Sequence, residues 1–160
     1  MKHTVTLKRE TNVTRINTID PKHLTDQHLM AEYRELPMVL SALKRSLQTQ
    51  SESTIIKKIP GKFTLNSGHV LFFYDKILFL KRRYEQLQLE LIDRGFNIDL
   101  DRKLKVAGFP NRFYSDWYPN AEAQDIIKER ITGKIQAKQG WYKYNSKPLT
   151  REFLDYYLAF

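Results

Sequence analysis

The chain has 160 residues, no cysteine, and 27 Lys and Arg against 18 Asp and Glu, a net charge of +9. That length suits one domain able to bury about two-thirds of its unfolded surface without cross-links, and the missing thiols exclude a disulfide framework, a thiolate nucleophile and any Cys-based zinc site. No apolar run approaches the roughly 20 residues that span a bilayer and MKHTVTLKRE lacks a secretory h-region, so the chain reads as soluble and intracellular, with a charge that favours polyanions.

The first predicted helix opens at Asp20-Pro21, an N-cap followed by a proline at the first helical position, and runs to Leu47. Leu29, Tyr33, Leu36, Leu40, Leu43 and Leu47 alternate four and three residues apart, which is one stripe of a helix. Pro37 interrupts that stripe and requires a kink or a division into two pieces. QTQSEST, 48–54, reads as a polar loop. A second helix carries Val70, Phe73, Ile77, Leu80, Tyr84, Leu87 and Leu91 up to Gly95 as its C-terminal cap. KRR, 81–83, falls off that stripe and reads as a solvent-facing basic band.

Residues 95–120 form an aromatic excursion punctuated by Gly and Pro, expected to pack across the helices. A third helix starts at Pro119-Asn120 and passes Ile127, Ile131 and Ile135, with Glu122 and Asp125 in its first turns where acids suit the dipole. GWYKYNSK, 140–147, alternates aromatics with lysines, a composition that suits stacking on bases or closing a core. The tail carries Phe153, Leu154, Tyr157 and Leu158 at helical spacing and is expected to dock on the domain. The fold class is therefore all-α: a single compact domain of about three main helices with long aromatic loops.

At about 100° per residue, His28, Glu32 and Glu35 share one edge of the first apolar stripe, and Gln27 and Arg34 point to the far side. A histidine with two carboxylates could serve a metal or acid–base chemistry, but no known metal-ligand spacing is present. On spacing alone Glu32 and Glu35 read as solvated surface carboxylates, and His28 and His69, each beside an apolar run, as packing histidines.

TRIN (14–17), DQHLMAEYRELP (26–37), GHV with FFYDK (68–70 and 72–76), RGFNI (94–98) and WYKY (141–144) resemble, in order and spacing, the phage-type pyrimidine-dimer DNA glycosylases with abasic-site lyase activity. These are the UV endonucleases V, unrelated to the deoxyinosine endonuclease of that name. The resemblance covers residues 14–145. It implies an all-α domain that kinks UV-damaged duplex DNA and flips out a base opposite the lesion. The α-amine of an N-terminal Thr then attacks C1′ of the 5′ pyrimidine to form an imine, and β-elimination follows. Carried over, Thr14 is the nucleophile and Glu35 the carboxylate that stabilises the cationic sugar and assists proton transfer. Arg15 and Arg34 hold phosphates, and Gln27, His28, Arg130, Lys134 and Trp141 are further DNA-facing residues. The resemblance implies no metal or organic cofactor and, as partner, double-stranded DNA containing pyrimidine dimers or abasic sites. It also implies a monomer in the cytoplasm of a bacterium or a phage-infected cell.

This chain departs from the family in two places. Met38 stands where the family has an Arg after ELP, which predicts a weaker phosphate contact there. Thr14 is preceded by other residues, and an amide nitrogen is no nucleophile. A free α-amine, with a reference pKa near 7.8, is roughly a tenth unprotonated at pH 7, against under a thousandth for Lys. Residues 1–13 are therefore expected to be a misassigned or processed leader, with Val13 standing where a GTG start codon would be read as Val, and residues 14–160 to be the domain. The alternatives are a non-catalytic damaged-DNA binding module, if Thr14 stays internal, or a nicking enzyme of the same scaffold with another target base.

Overall fold

The computed structural model of the chain describes residues 15–159, so the expected leader and Thr14 lie outside the described residues. After a 3-10 turn at Pro21–His23 come α1 (Asp26–Glu35), α2 (Pro37–Thr49), α3 (Glu52–Lys58), α4 (His69–Phe72) and α5 (Ile77–Asp93). A second 3-10 turn, Asn111–Phe113, precedes α6 (Ala121–Ala137). A small hairpin of β1 (Lys143–Tyr144) and β2 (Lys147–Pro148) then leads to α7 (Arg151–Ala159). No helix among the described residues is long and apolar enough to cross a membrane.

The all-α expectation holds, but the chain is cut into more helices than the three expected, and local chemistry explains each cut. Asp20 caps only the first 3-10 turn, accepting from the Lys22 N–H at 3.0 Å, and Leu24 returns to extended geometry. Thr25 then caps α1, its hydroxyl accepting from the His28 N–H at 3.2 Å. Pro37 divides the predicted first helix: it has no N–H to donate and starts α2 at the first position. The expected loop at 48–54 contains the start of α3, because Ser51 accepts from the Thr54 N–H at 3.2 Å and Ile55 is buried. The second predicted helix is interrupted between Phe72 and Ile77 because the excursion captures its backbone, Lys76 bridging to Tyr114 and the Ser115 N–H bonding the Asp75 carbonyl at 3.0 Å. Gly95 caps α5 as expected, with φ 83° and bonds from Gly95 and Phe96 back to Ile92 and Leu91.

The core lies where α1 packs on α5, with the rings of Tyr33 and Tyr84 stacked at 5.2 Å. The excursion does pack across the helices: it adds buried Leu104 and Phe113, and Trp117 joins Phe63, Phe72, Phe73 and Phe79 in one aromatic cluster. Ala123, Ile127, Ile131 and Ile135 bury one stripe of α6. In α7, Phe153 and Leu154 are half-buried, and the Phe153 ring lies 4.9 Å from Tyr144. The side chains of Tyr157 and Leu158 lie outside the described part.

Two expectations for charged residues fail. Glu32 is 1% exposed and Arg83 4% exposed, so neither is a solvated surface residue, and the basic band at 81–83 is not a uniform one. Arg83 donates to Glu32 through Nε at 2.6 Å and Nη2 at 2.9 Å, and through Nη1 to the Ile19 carbonyl at 2.6 Å. Its neighbour Arg82 donates from Nη1 to both carboxylate oxygens of Asp116, in a pair that is about one-third exposed. Replacing Arg83 with Met leaves a buried carboxylate uncompensated and should cost about 3–5 kcal/mol, whereas Arg82→Met should cost roughly 1 kcal/mol or less. Urea unfolding of the two variants at neutral pH checks this; equal losses would contradict it.

Candidate active site

The segment from Arg15 to Ile19 forms no helix and runs through the middle of the site. Ile16, Asn17, Thr18 and Ile19 are all buried, so their main-chain groups need partners from elsewhere in the fold. The Ile16 N–H donates to His69 Nε2 at 2.9 Å. The Asn17 N–H and Nδ2 both donate to Glu32 Oε1, at 3.0 and 2.9 Å. The Thr18 hydroxyl donates to the Ala123 carbonyl at 2.7 Å, which ties the segment to the start of α6.

Glu35 is the last residue of α1, half-buried at the break that Pro37 forces. Burial pushes its carboxyl above the ordinary carboxylate range, against the opposing pull of the Arg15 main-chain N–H that it accepts and of the Arg130 and Arg15 charges, and Glu32 adds to the rise. Arg15 is half-buried, and its Nη1 is out of solvent with no hydrogen-bond partner. Arg130 and Lys134 stand one turn apart on α6 beside its buried stripe. Both charges act on His28, whose ring stacks on Tyr142 at 4.8 Å and whose Nδ1 is paired with the Thr25 hydroxyl at 2.6 Å. Burial, helped by those two cations, lowers the His28 pKa to about 4, so the ring is neutral at pH 7. His69 is also lowered to about 4, chiefly by burial, with the Thr64 carbonyl opposing and Arg15 and Arg130 contributing. Both histidines are packed, as expected.

Glu35, Arg15, His28, Arg130 and Lys134 thus form one electrostatic neighbourhood. Gln27, Arg34 and Trp141 belong to a second region. Gln27 is half-buried and holds the hairpin entrance, Nε2 donating to the Trp141 carbonyl at 2.7 Å and Oε1 accepting from the Lys143 N–H at 2.9 Å. The indole of Trp141 is 54% exposed, with the Lys138 ammonium 5.0 Å from its ring. Arg34 is exposed and lines a groove with Met30, Ala31, Phe96 and Lys143. Met38 is 51% exposed in the first turn of α2. Sequence reasoning missed Asn17, Glu32, His69 and Asp26 as site-building residues. Asp26 accepts from the Asn145 and Ser146 N–H groups at 3.1 and 2.7 Å, fixing the hairpin turn in which both residues have positive φ.

Chemically, the arrangement offers a carboxylate with raised proton affinity, cations for anionic ligand groups, and a main-chain segment with fixed amides between them. A family model described as pyrimidine dimer DNA glycosylase matches residues 13–104, more than half of the chain. The match takes in Arg15, Gln27, His28, Arg34 and Glu35, while Arg130, Lys134 and Trp141 lie beyond it.

The two histidines also set a pH dependence. Their folded values near 4 lie below the ordinary 6.5, so between those pH values the unfolded chain binds more protons. Stability is then fully present above pH 6.5 and falls as pH drops toward 4, by about 3 kcal/mol for each histidine. Urea midpoints at a series of pH values test this, and His69→Gln, which cannot titrate, should flatten the slope; an unchanged slope would refute the assignment for His69.

Proposed function

The chain belongs to the pyrimidine dimer DNA glycosylase family, and from that premise we propose that it excises pyrimidine dimers from duplex DNA with the Thr14 α-amine and then nicks the strand as an abasic-site lyase. The amine lone pair attacks C1′ of the 5′ pyrimidine nucleotide. The C1′–N1 bond breaks with its electron pair going to the base, and loss of the amine proton with opening of the sugar ring leaves an imine. Removal of a C2′ proton then expels the 3′ phosphate by β-elimination. Glu35 stabilises the positive charge that develops on the sugar, and its raised proton affinity suits it to move the protons.

The observation that carries this reading is the hydrogen bond from the Arg15 main-chain N–H to the Glu35 carboxylate, one peptide bond from Thr14. Thr14 is covalently joined to Arg15, which supports pairing an amine of that residue with Glu35 in the reaction. The unpartnered Nη1 of Arg15 supports a role in holding an anion such as a DNA phosphate, since a buried guanidinium nitrogen is seldom left without an acceptor. Arg34, Arg130 and Lys134 extend that grip, Trp141 offers a stacking surface, and His28, neutral, serves as a hydrogen-bonding group beside Arg130 and Lys134. The partner is double-stranded DNA carrying pyrimidine dimers or abasic sites, bound by a monomer.

The reading requires Thr14 to begin the working protein, with residues 1–13 absent from it. Borohydride trapping on dimer-containing and abasic DNA compares protein that begins at Met1 with protein that begins at Thr14. A covalent adduct should form only with the second; no adduct from either leaves a damaged-DNA binding module. In protein beginning at Thr14, Glu35→Gln should slow single-turnover excision by about a hundredfold or more while changing Kd only a few-fold, because the lost interaction belongs to the transition state.

A further inference from the structure

The reaction needs more than a nearby amine, because residues at a chain end are the ones most prone to fray. Three successive main-chain N–H groups are taken by three different side chains: Arg15 by Glu35, Ile16 by His69 and Asn17 by Glu32. Glu35 has a chemical assignment and Glu32 belongs to the buried ion pair. His69 has neither, and it lies 53 residues from Ile16 in sequence.

We propose that His69 is a positioning residue for the reaction: by accepting the Ile16 N–H at Nε2 from a ring that cannot turn, it holds the main chain at Arg15 and Ile16 against Glu35. The proposal rests on Thr14 carrying the attacking amine.

The ring is fixed on every side. Its Nδ1 is 2.8 Å from the Thr64 carbonyl, an acceptor only, so Nδ1 carries the proton and Nε2 is the acceptor that faces Ile16. Phe63 and Phe73 pack edge-on against it at 5.4 and 5.3 Å. The turn that presents it is also held, with the Asn66 N–H bonding the Thr64 hydroxyl at 3.1 Å and the His69 N–H bonding the Asn66 carbonyl at 2.9 Å. Gly68 allows this approach, because a Cβ there would stand 2.7 Å from the Pro60 ring. Two adjacent amides held by Glu35 and His69 leave the Arg15 and Ile16 main chain little freedom to rotate.

Two conservative variants separate positioning from folding. The side-chain carbonyl of Gln reaches where Nε2 stands and can accept from Ile16, whereas Asn is shorter and reaches only the Thr64 carbonyl. In protein that begins at Thr14, single-turnover excision by His69→Asn should be about ten- to a hundredfold slower, with Kd for dimer-containing DNA unchanged within about twofold. His69→Gln should return to within about threefold of the unsubstituted rate. His69→Leu removes both bonds and should be slower still; if it fails to fold, the Asn and Gln pair decides. An unchanged rate in His69→Asn, equal losses in Asn and Gln variants, or a loss confined to Kd each overturns the proposal. Failure of the unsubstituted protein to trap on borohydride would instead overturn the assignment of the amine itself, and the two failures are thereby distinguished.

Discussion

The buried pair of Arg83 and Glu32 joins α5, α1 and the segment of residues 15–19, and the arrangement of the site depends on it. Desolvating two charges is expensive, and mutual attraction offsets that cost only when the remaining donors and acceptors are also satisfied. Within the pair they are: Arg83 uses Nε, Nη1 and Nη2, and Glu32 receives two bonds from Arg83 and two from Asn17, whose own Oδ1 stays buried without a partner. Shifting either member of the ion pair strands a buried charge, which restricts the pair to one geometry at low energy. Its effect reaches the main chain directly, through the Asn17 N–H and the Ile19 carbonyl. The register of residues 17–19 against α1 is thus fixed by electrostatics, with Ile16 and Ile19 filling the apolar space on either side.

The same device recurs at the other end of α1. Arg94, nearly buried, pairs with Asp26 at 3.1 Å and Glu90 at 2.9 Å and lies 4.0 Å over the Tyr144 ring, while Asp26 takes the amides of the hairpin turn. α1 therefore acts as a spine with three attachments: Asp26 and Gln27 hold residues 141–146, Glu32 holds Asn17, and Glu35 takes Arg15. This changes what a substitution in α1 means. Loss of the Gln27 amide would release the backbone that presents Trp141, so a DNA-binding defect from that change need not reflect a contact between Gln27 and DNA. Neutral His28 fits the same logic, since a third positive charge beside Arg130 and Lys134 would be both buried and repelled.

The apolar stripes were readable in the sequence because they state a period directly, and they give α1, α2, α5 and α6 with their buried faces. The cuts between helices were less readable. Pro37 announces one, but the interruption before Ile77 comes from pairing with residues 114 and 115, about 40 positions away and invisible to any local window. Arg83 and Glu32 were misread for a different reason. Arg83 lies three residues after Leu80 and four before Leu87, and Glu32 lies three after Leu29 and four before Leu36, so each sits between stripe positions on the inner face. Opposite charges flanking two stripes that pack together are the signal that could have paired them. The roles of Thr14 and Glu35 are a different matter, since no spacing distinguishes a reactive carboxylate from a solvated one. Those assignments come from resemblance.

A nucleophile at a chain end solves one problem and creates another. The α-amine needs no special burial to be partly unprotonated at neutral pH, whereas a lysine must be desolvated or placed beside other cations. Fixing a terminal residue, however, costs about 1–2 kcal/mol of backbone entropy per residue, and a frayed end spends little time in an attacking pose. If Thr14 acts as proposed, burying residues 16–19 and bonding three consecutive amides moves that cost from the reaction into folding, where the core and the ion pair offset it. On the proposed mechanism the bonds made to residues 15–19 are then intelligible: an α-amine is reactive without burial, and what the fold has to supply is a fixed main chain next to it.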